Sequence, residues 1–268
     1  MSEGLETSRR WTTRRQLVAF VVVALAASWW PWPLTLLNPD SAPLLPIGPT
    51  LAAVILTAVA CGRRDVKALL LQLVRWRVRP VWYAVALLGP IAMIGLSVLL
   101  NRALGAPLAG PVTFPPWSLL PMLFLVRTVV GGPLGEELGW RGFLLPRLLP
   151  RFRPVVASLL IAPVWFLFHL PAFVAGPSTA QRPPLLFLLW IVPLSLLHTW
   201  LYLRTHCSVL LVTLFHGTVD TASSVLFPLF TGAAYTQLWA MAVVVAAVWA
   251  AGTVALDPIM RPVIPRTR

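Results

Sequence analysis

Six residues of this 268-residue chain have the types and spacing to do acid–base chemistry inside a hydrophobic environment. Glu136, Glu137 and Arg141 lie in "GGPLGEELGWRGFLL" (131–145), His169 in "APVWFLFHLPAF" (162–173), and His216 and Asp220 in "LVTLFHGTVDTASS" (211–224). Of the eight acidic residues, Glu3, Glu6, Asp40, Asp65 and Asp257 fall in tails or polar turns; only Glu136, Glu137 and Asp220 interrupt apolar runs. An ionisable group at bilayer depth costs at least about 2.5 kcal/mol on insertion scales, so its default reading is a functional site. Carboxylates and imidazoles gathered there can take a proton from water, hold a metal ion or relay protons.

On a helix, residues four apart share a face, and Glu placed before a cation is the favourable order. Glu137 and Arg141 have that spacing. Glu136 sits about 100° around the helix from Glu137, because 3.6 residues complete a turn. One carboxylate is thus neutralised by its arginine, and the other must find a partner elsewhere. Histidines are the candidates: His169, with Trp165 four residues before it, and His216, four residues before Asp220. Thr213, Ser223 and Ser224 extend the polar stripe of that last segment, which either joins helices or lines a wet cavity. At 1.5 Å per residue, Glu136 lies about 16 Å from Arg147, His216 about 18 Å from Arg204 and His169 about 24 Å from Arg153. Helix tilt and Pro163 can absorb the last mismatch, so the three groups can meet near the membrane midplane. His198 and His206 read as packing or interfacial residues.

The elements that must position these groups are membrane helices. Hydrophobic residues make up 58% of the chain and charged residues 11%, against about 25% charged in a soluble domain. The mean hydropathy is +0.82. The net charge of +13 does not point to nucleic acid, because the basic residues punctuate apolar spans and do not gather on one soluble face. A span needs about 20 apolar residues. Eight are read, at roughly 16–37, 43–61, 81–101, 117–146, 155–176, 184–203, 208–228 and 234–256. The fourth should break near "GGP" (131–133), and "RTHCS" (204–208) should turn a tight helical hairpin. With both termini in the cytoplasm, 17 basic residues fall on the inner side and 2, Arg102 and Arg182, on the other, as the positive-inside rule requires.

The stretch "RRDVKALLLQLVRWRVR" (63–79) reads as an amphipathic helix on the inner leaflet. "TTRRQLVAFVVVALAAS" (12–28) imitates a signal peptide, but "WWPWPLTLL" continues the apolar run, so an uncleaved first helix is expected. Cys61 and Cys207 lie near cytoplasmic ends, where thiols stay reduced, and no disulfide is expected. The expected fold is all-α: a polytopic bundle of about eight transmembrane helices, with residues 16–256 as a single membrane domain between basic cytoplasmic tails at 1–15 and 257–268.

Three segments also resemble a known family. "EELGWRG" (136–142) is similar to the EExxxR signature of the CPBP intramembrane endopeptidases, the group of type II CAAX prenyl proteases and bacteriocin-immunity (Abi) proteins. "FLFHLP" (166–171) resembles that family's second motif, and "WLYLRTHCSVLLVTLFHGTVD" (200–220) its last hairpin, which ends in HxxxN. The resemblance covers roughly residues 117–228, about two-fifths of the chain. It implies peptide hydrolysis in the membrane, with Glu136 and His169 activating a water, His216 and Asp220 facing the scissile carbonyl, and Glu137 and Arg141 supporting the site. Asp220 stands where the family favours Asn, and an ionised Asp cannot donate a hydrogen bond.

HExxH is absent and no metal is predicted. If a divalent metal such as Zn²⁺ is present, Glu136, His169, His216 and Asp220 would make an acceptable ligand set. The expected location is the cell's inner membrane, and the expected partners are membrane lipid and a membrane-associated protein or peptide substrate, with no nucleic acid. Two rivals stand beside the protease: a non-catalytic immunity or assembly protein on the same scaffold, and a proton-coupled transporter, against which no paired repeats of broken helices are seen.

Overall fold

The structure, a computed structural model, describes residues 12–38, 41–174 and 182–261. Residues 1–11 and 262–268, most of the two expected tails, lie outside the described residues. Every regular element among the described residues is helical. Helix α1 (Thr13–Trp29) is capped by the Thr12 hydroxyl, which accepts from Arg15 N at 3.4 Å. It is followed by α2 (Gly48–Cys61), α3 (Arg63–Leu71), α4 (Pro80–Ala103), α5 (Leu120–Val129) and α6 (Pro133–Glu137). A π-helical stretch, Leu138–Leu144, leads into α7 (Leu145–Leu148). Then come α8 (Pro154–Phe168), α9 (Leu170–Val174), α10 (Pro184–Arg204), α11 (Val209–Leu226) and α12 (Gly232–Leu256). Proline opens α4, α6, α8 and α10, where its missing N–H leaves no helical bond unmade and its fixed φ suits the first turn.

Among the described residues, six segments are long and apolar enough to cross a bilayer: 13–36, 81–103, 117–148, 184–204, 209–229 and 232–256. This is a multi-pass membrane protein. The other two expected spans, 43–61 and 155–176, are shorter helices. α2 has 14 residues and α8 has 15, about 21 and 22 Å of rise against a hydrocarbon core of about 30 Å. The reason is local: prolines at 43 and 46 delay the start of α2, and the chain leaves α8 at His169 just before Pro171. The basic stretch 63–79 is also shorter as a helix than its pattern suggested. α3 ends at Leu71, one 3₁₀ turn follows, and Arg75 takes φ −80°, ψ 82°. From there the backbone is held by α11, because the Ser208 hydroxyl donates to Arg75 O at 2.6 Å.

α10 and α11 are the inner helices. α10 packs between α8 and α12, while α11 lies against α4, α5, α6 and α10. Their hairpin turns within residues 205–208, where His206 (φ 54°) and Cys207 (φ 64°) take left-handed conformations and the Ser208 hydroxyl caps α11. Asp257, beyond the end of α12, clamps the hairpin by accepting from Trp200 Nε1 at 2.8 Å and from Arg204 Nε at 2.5 Å. Partial burial would raise this carboxyl. Hydrogen bonds from Arg204, Ile259 N and Trp200 outweigh it and hold Asp257 below the usual carboxylate range.

α5 and α11 are in close contact at Gly217, next to His216. A Cβ built there would lie 2.1 Å from Thr128 Oγ1. Gly217→Ala should therefore lower stability by about 1–3 kcal/mol through overpacking. Thermal unfolding in detergent should show a lower midpoint, partly restored by adding Thr128→Ala; an unchanged midpoint would mean the two helices do not meet here.

Candidate active site

The two glutamates end α6, and each takes the side chain four residues on as its first partner. Glu136 Oε2 accepts from Trp140 Nε1 at 3.3 Å, and both Glu137 oxygens accept from Arg141 Nη1 at 3.1 Å. Both partners lie in the π-helical stretch, whose widened turn is closed by Leu145 N donating to Trp140 O. Such stretches often sit at functional sites. The approach to Glu136 depends on Gly132, whose φ of 141° excludes most side chains and whose Cβ, if present, would lie 2.6 Å from Glu136 Oε1.

The second partners come from different helices. Trp165 of α8 donates its indole N–H to Glu136 Oε2 at 2.7 Å. Glu137 instead faces α11 and α10: His216 Nδ1 lies 2.8 Å from Glu137 Oε1, and His198 Nε2 lies 3.8 Å from the same oxygen. Two neighbouring carboxylates, turned about 100° apart by the helix, thus address two different walls of one buried cluster. Glu136, Glu137 and Arg141 are all buried, Glu137 and Arg141 completely.

Glu136, expected to turn to a histidine, is held by two indoles. His169 sits at the C-terminal end of α8, and its Nδ1 lies 2.8 Å from Trp165 O. A carbonyl only accepts, so Nδ1 carries the proton and the neutral ring keeps a lone pair on Nε2. Trp165 therefore anchors both residues, Glu136 through its indole and His169 through its carbonyl. The His169 ring is wedged edge-on against Phe168 and Phe187, at 4.9 and 5.2 Å between centroids.

His216 meets the second glutamate. With Nδ1 on Glu137, its Nε2 turns toward Asp220, whose Oδ1 is 3.8 Å away. The Asp220 carboxylate is about one-third exposed, so this side of the site is the more open one. Trp165 lies beneath the whole arrangement: its ring meets His216 and His198 edge-on, each at 5.3 Å, and the Arg141 guanidinium stands 4.5 Å from its centroid. A cation over an indole face is attracted by the ring quadrupole, more so when desolvated.

His198, read from the sequence as a packing residue, is fully buried beside Glu137. The one signal for it was a histidine inside an otherwise apolar span, which by itself also fits helix packing. Trp140 and Trp165 carried no signal as carboxylate partners, because an indole in a membrane helix is usually packing.

A metal set also differs from the sequence expectation. Among the described residues, the donor atoms of Glu137, His198 and His216 lie within 4.8 Å of one another and could hold a metal ion. The sequence led to no expected metal; the set it offered in case one is bound was Glu136, His169, His216 and Asp220, and only His216 is common to both. No cofactor is established.

Residues 117–222 match the family model described as "Type II CAAX prenyl endopeptidase Rce1-like". Among curated proteins, the chain is similar to "CAAX prenyl protease 2" of Methanococcus maripaludis, at 31% identity over 162 residues. That alignment covers 56% of this chain and 57% of the relative's length. The matched segment contains Glu136, Glu137, Arg141, His169, His216 and Asp220. Residues 117–222 are thus similar to the type II CAAX prenyl endopeptidases, and the chain spans a little over half the length of the curated relative it matches.

Proposed function

We propose that this protein is an intramembrane endopeptidase that hydrolyses peptide bonds of membrane-associated proteins or peptides with a water activated by Glu136 and His169. The observation that carries the reading is the double use of Trp165. One residue orients the carboxylate through its indole N–H and the imidazole through its carbonyl. Glu136 takes a proton from the attacking water, with the bare Nε2 of His169 assisting, and returns it to the leaving amide nitrogen as the C–N bond breaks. His216, carrying a proton on each ring nitrogen, and Asp220 face the scissile carbonyl, and the His216 Nε2–H donates to the tetrahedral oxyanion. Glu137 and Arg141 do not react; they hold His216 by its Nδ1. The orientation that fits the basic residues puts both termini on the cytoplasmic side of the inner membrane.

A divalent ion at Glu137, His198 and His216 would stand against the Arg141 guanidinium already bonded to both Glu137 oxygens. Like charges in a water-poor site repel strongly, so the proposed reaction uses no metal at these three residues. The test is cleavage of a membrane-peptide library by the purified protein, compared with its Glu136→Ala variant. The name of the curated relative makes a prenylated CAAX peptide the first substrate to include. Cleavage by wild type alone supports the reading; no cleavage, or equal cleavage by both, rejects it.

Asp220 supplies a second prediction. As a neutral acid or an orienting partner of His216, it should be replaceable by Asn, which always offers a donor. Asp220→Asn should therefore keep its hydrolytic rate within a few-fold of wild type, or exceed it. An inactive Asp220→Asn protein rescued by added Zn²⁺ would instead make Asp220 a metal ligand. A variant that lost only coupled proton flux, in a protein with no peptidase activity, would favour the transporter.

A further inference from the structure

His198 lies on α10, outside the residues given a role so far, yet it borders all of them. Its Nδ1 is 2.7 Å from Leu194 O, one turn back on the same helix. The carbonyl can only accept, so the proton sits on Nδ1 and Nε2 is the bare, acceptor end of the neutral ring. That end is fully buried, has no hydrogen-bond partner among the described residues, and lies 3.8 Å from Glu137 Oε1. His216 Nδ1 is bonded to the same oxygen at 2.8 Å. The two imidazoles meet edge to face at 5.3 Å, and both rest edge-on against Trp165. Arg141, also bonded to Glu137 Oε1, has two further buried N–H groups, Nε and Nη2, without acceptors.

A neutral imidazole in this tautomer is a dipole with its negative end at Nε2. Here that end faces Glu137 Oε1 at 3.8 Å, the oxygen that accepts from Arg141 Nη1 and pairs with His216 Nδ1. In a water-excluded site a fixed dipole is poorly screened, so its negative end repels that oxygen and keeps it turned toward its cationic and N–H partners. A buried polar atom is seldom left unpaired without a role, and a phenylalanine would fill the same space without one.

We infer that His198 is a positioning residue: its Nε2 end, facing Glu137 Oε1, keeps that oxygen on Arg141 and His216 and so fixes the orientation in which His216 presents its own Nε2 toward Asp220 and the incoming carbonyl. The inference rests on the endopeptidase reading for its kinetic consequence, and on Glu137, Arg141 and His216 alone for its structural one.

Two variants of the full-length protein separate a polar role from a packing role. His198→Phe keeps an aromatic ring against Trp165 and His216 but has no acceptor. His198→Gln loses the ring and keeps an acceptor near the place of Nε2. The measurements are kcat and KM on a cleaved peptide, thermal unfolding, the ¹⁵N resonances of the His216 ring, and the metal content of each purified protein. The expected result is that His198→Phe loses about tenfold or more in kcat, a modest share of what one direct oxyanion donor provides. Its KM and unfolding midpoint should stay near wild type and its His216 resonances should move. His198→Gln should recover most of kcat and the wild-type resonances.

Full activity in His198→Phe would overturn the inference. So would wild-type His216 resonances in that variant, or a His198→Gln protein that unfolds early and is the less active of the two, since both mark a packing role. A metal held by wild type and lost with His198 would also overturn it, making the residue a ligand. If wild type cleaves nothing, the endopeptidase reading fails by itself. The His216 resonances then still decide whether His198 orients that ring.

Discussion

Glu136→Gln is expected to abolish hydrolysis while leaving expression and folding near normal. The Glu136 carboxylate is held only by donors, the indole N–H groups of Trp165 and Trp140, at 2.7 and 3.3 Å. A glutamine can accept both through its amide oxygen, so the local packing survives. What it cannot do is take a proton from water near neutral pH. General-base catalysis contributes about 10²–10⁴-fold, and that is the loss to look for in the rate on any peptide the wild type cleaves. Circular dichroism and thermal unfolding should overlay those of wild type. An active Glu136→Gln protein would remove Glu136 from the chemistry.

Glu137→Gln should do the opposite first: it should destabilise. Glu137 and Arg141 are both completely buried, and among the described residues the guanidinium has no other carboxylate hydrogen-bonded to it. Removing one charge of a buried pair leaves the other uncompensated, at a cost of about 3–5 kcal/mol. The unfolding midpoint should fall well below that of Glu136→Gln, and yield from membranes should fall with it. Activity should also drop, since His216 loses the carboxylate that holds its Nδ1. Stability is therefore the measurement that separates the two glutamates. Adding Arg141→Gln to Glu137→Gln should return much of the lost stability, because a neutral pair strands no charge. If the two single variants were equally stable and only the Glu137 one inactive, the roles given to them would be reversed.

The local physics of the chain is legible without a structure. Apolar composition and basic punctuation require a membrane bundle, and the four-residue spacing pairs Glu137 with Arg141, as found at 3.1 Å. Glycine and proline at 131–133 break the long fourth segment where α5 ends and α6 begins. The five residues "RTHCS" turn α10 into α11. Each of these depends on neighbours within about one helical turn, so sequence alone determines them.

What tertiary structure decided is which face of each helix meets which. Helices apolar all round have no polar face to set their rotation, so packing sets it instead. That rotation sends Glu136 to the indole of Trp165 and Glu137 to His216, where the sequence suggested a histidine for Glu136. It also brings His198 to within 3.8 Å of Glu137 from a helix whose pattern reads as plain packing. The cluster around Trp165 depends on contacts between residues 29 to 79 positions apart. No spacing rule in the sequence reaches that far, because such contacts exist only once α8, α10 and α11 have closed around the two glutamates.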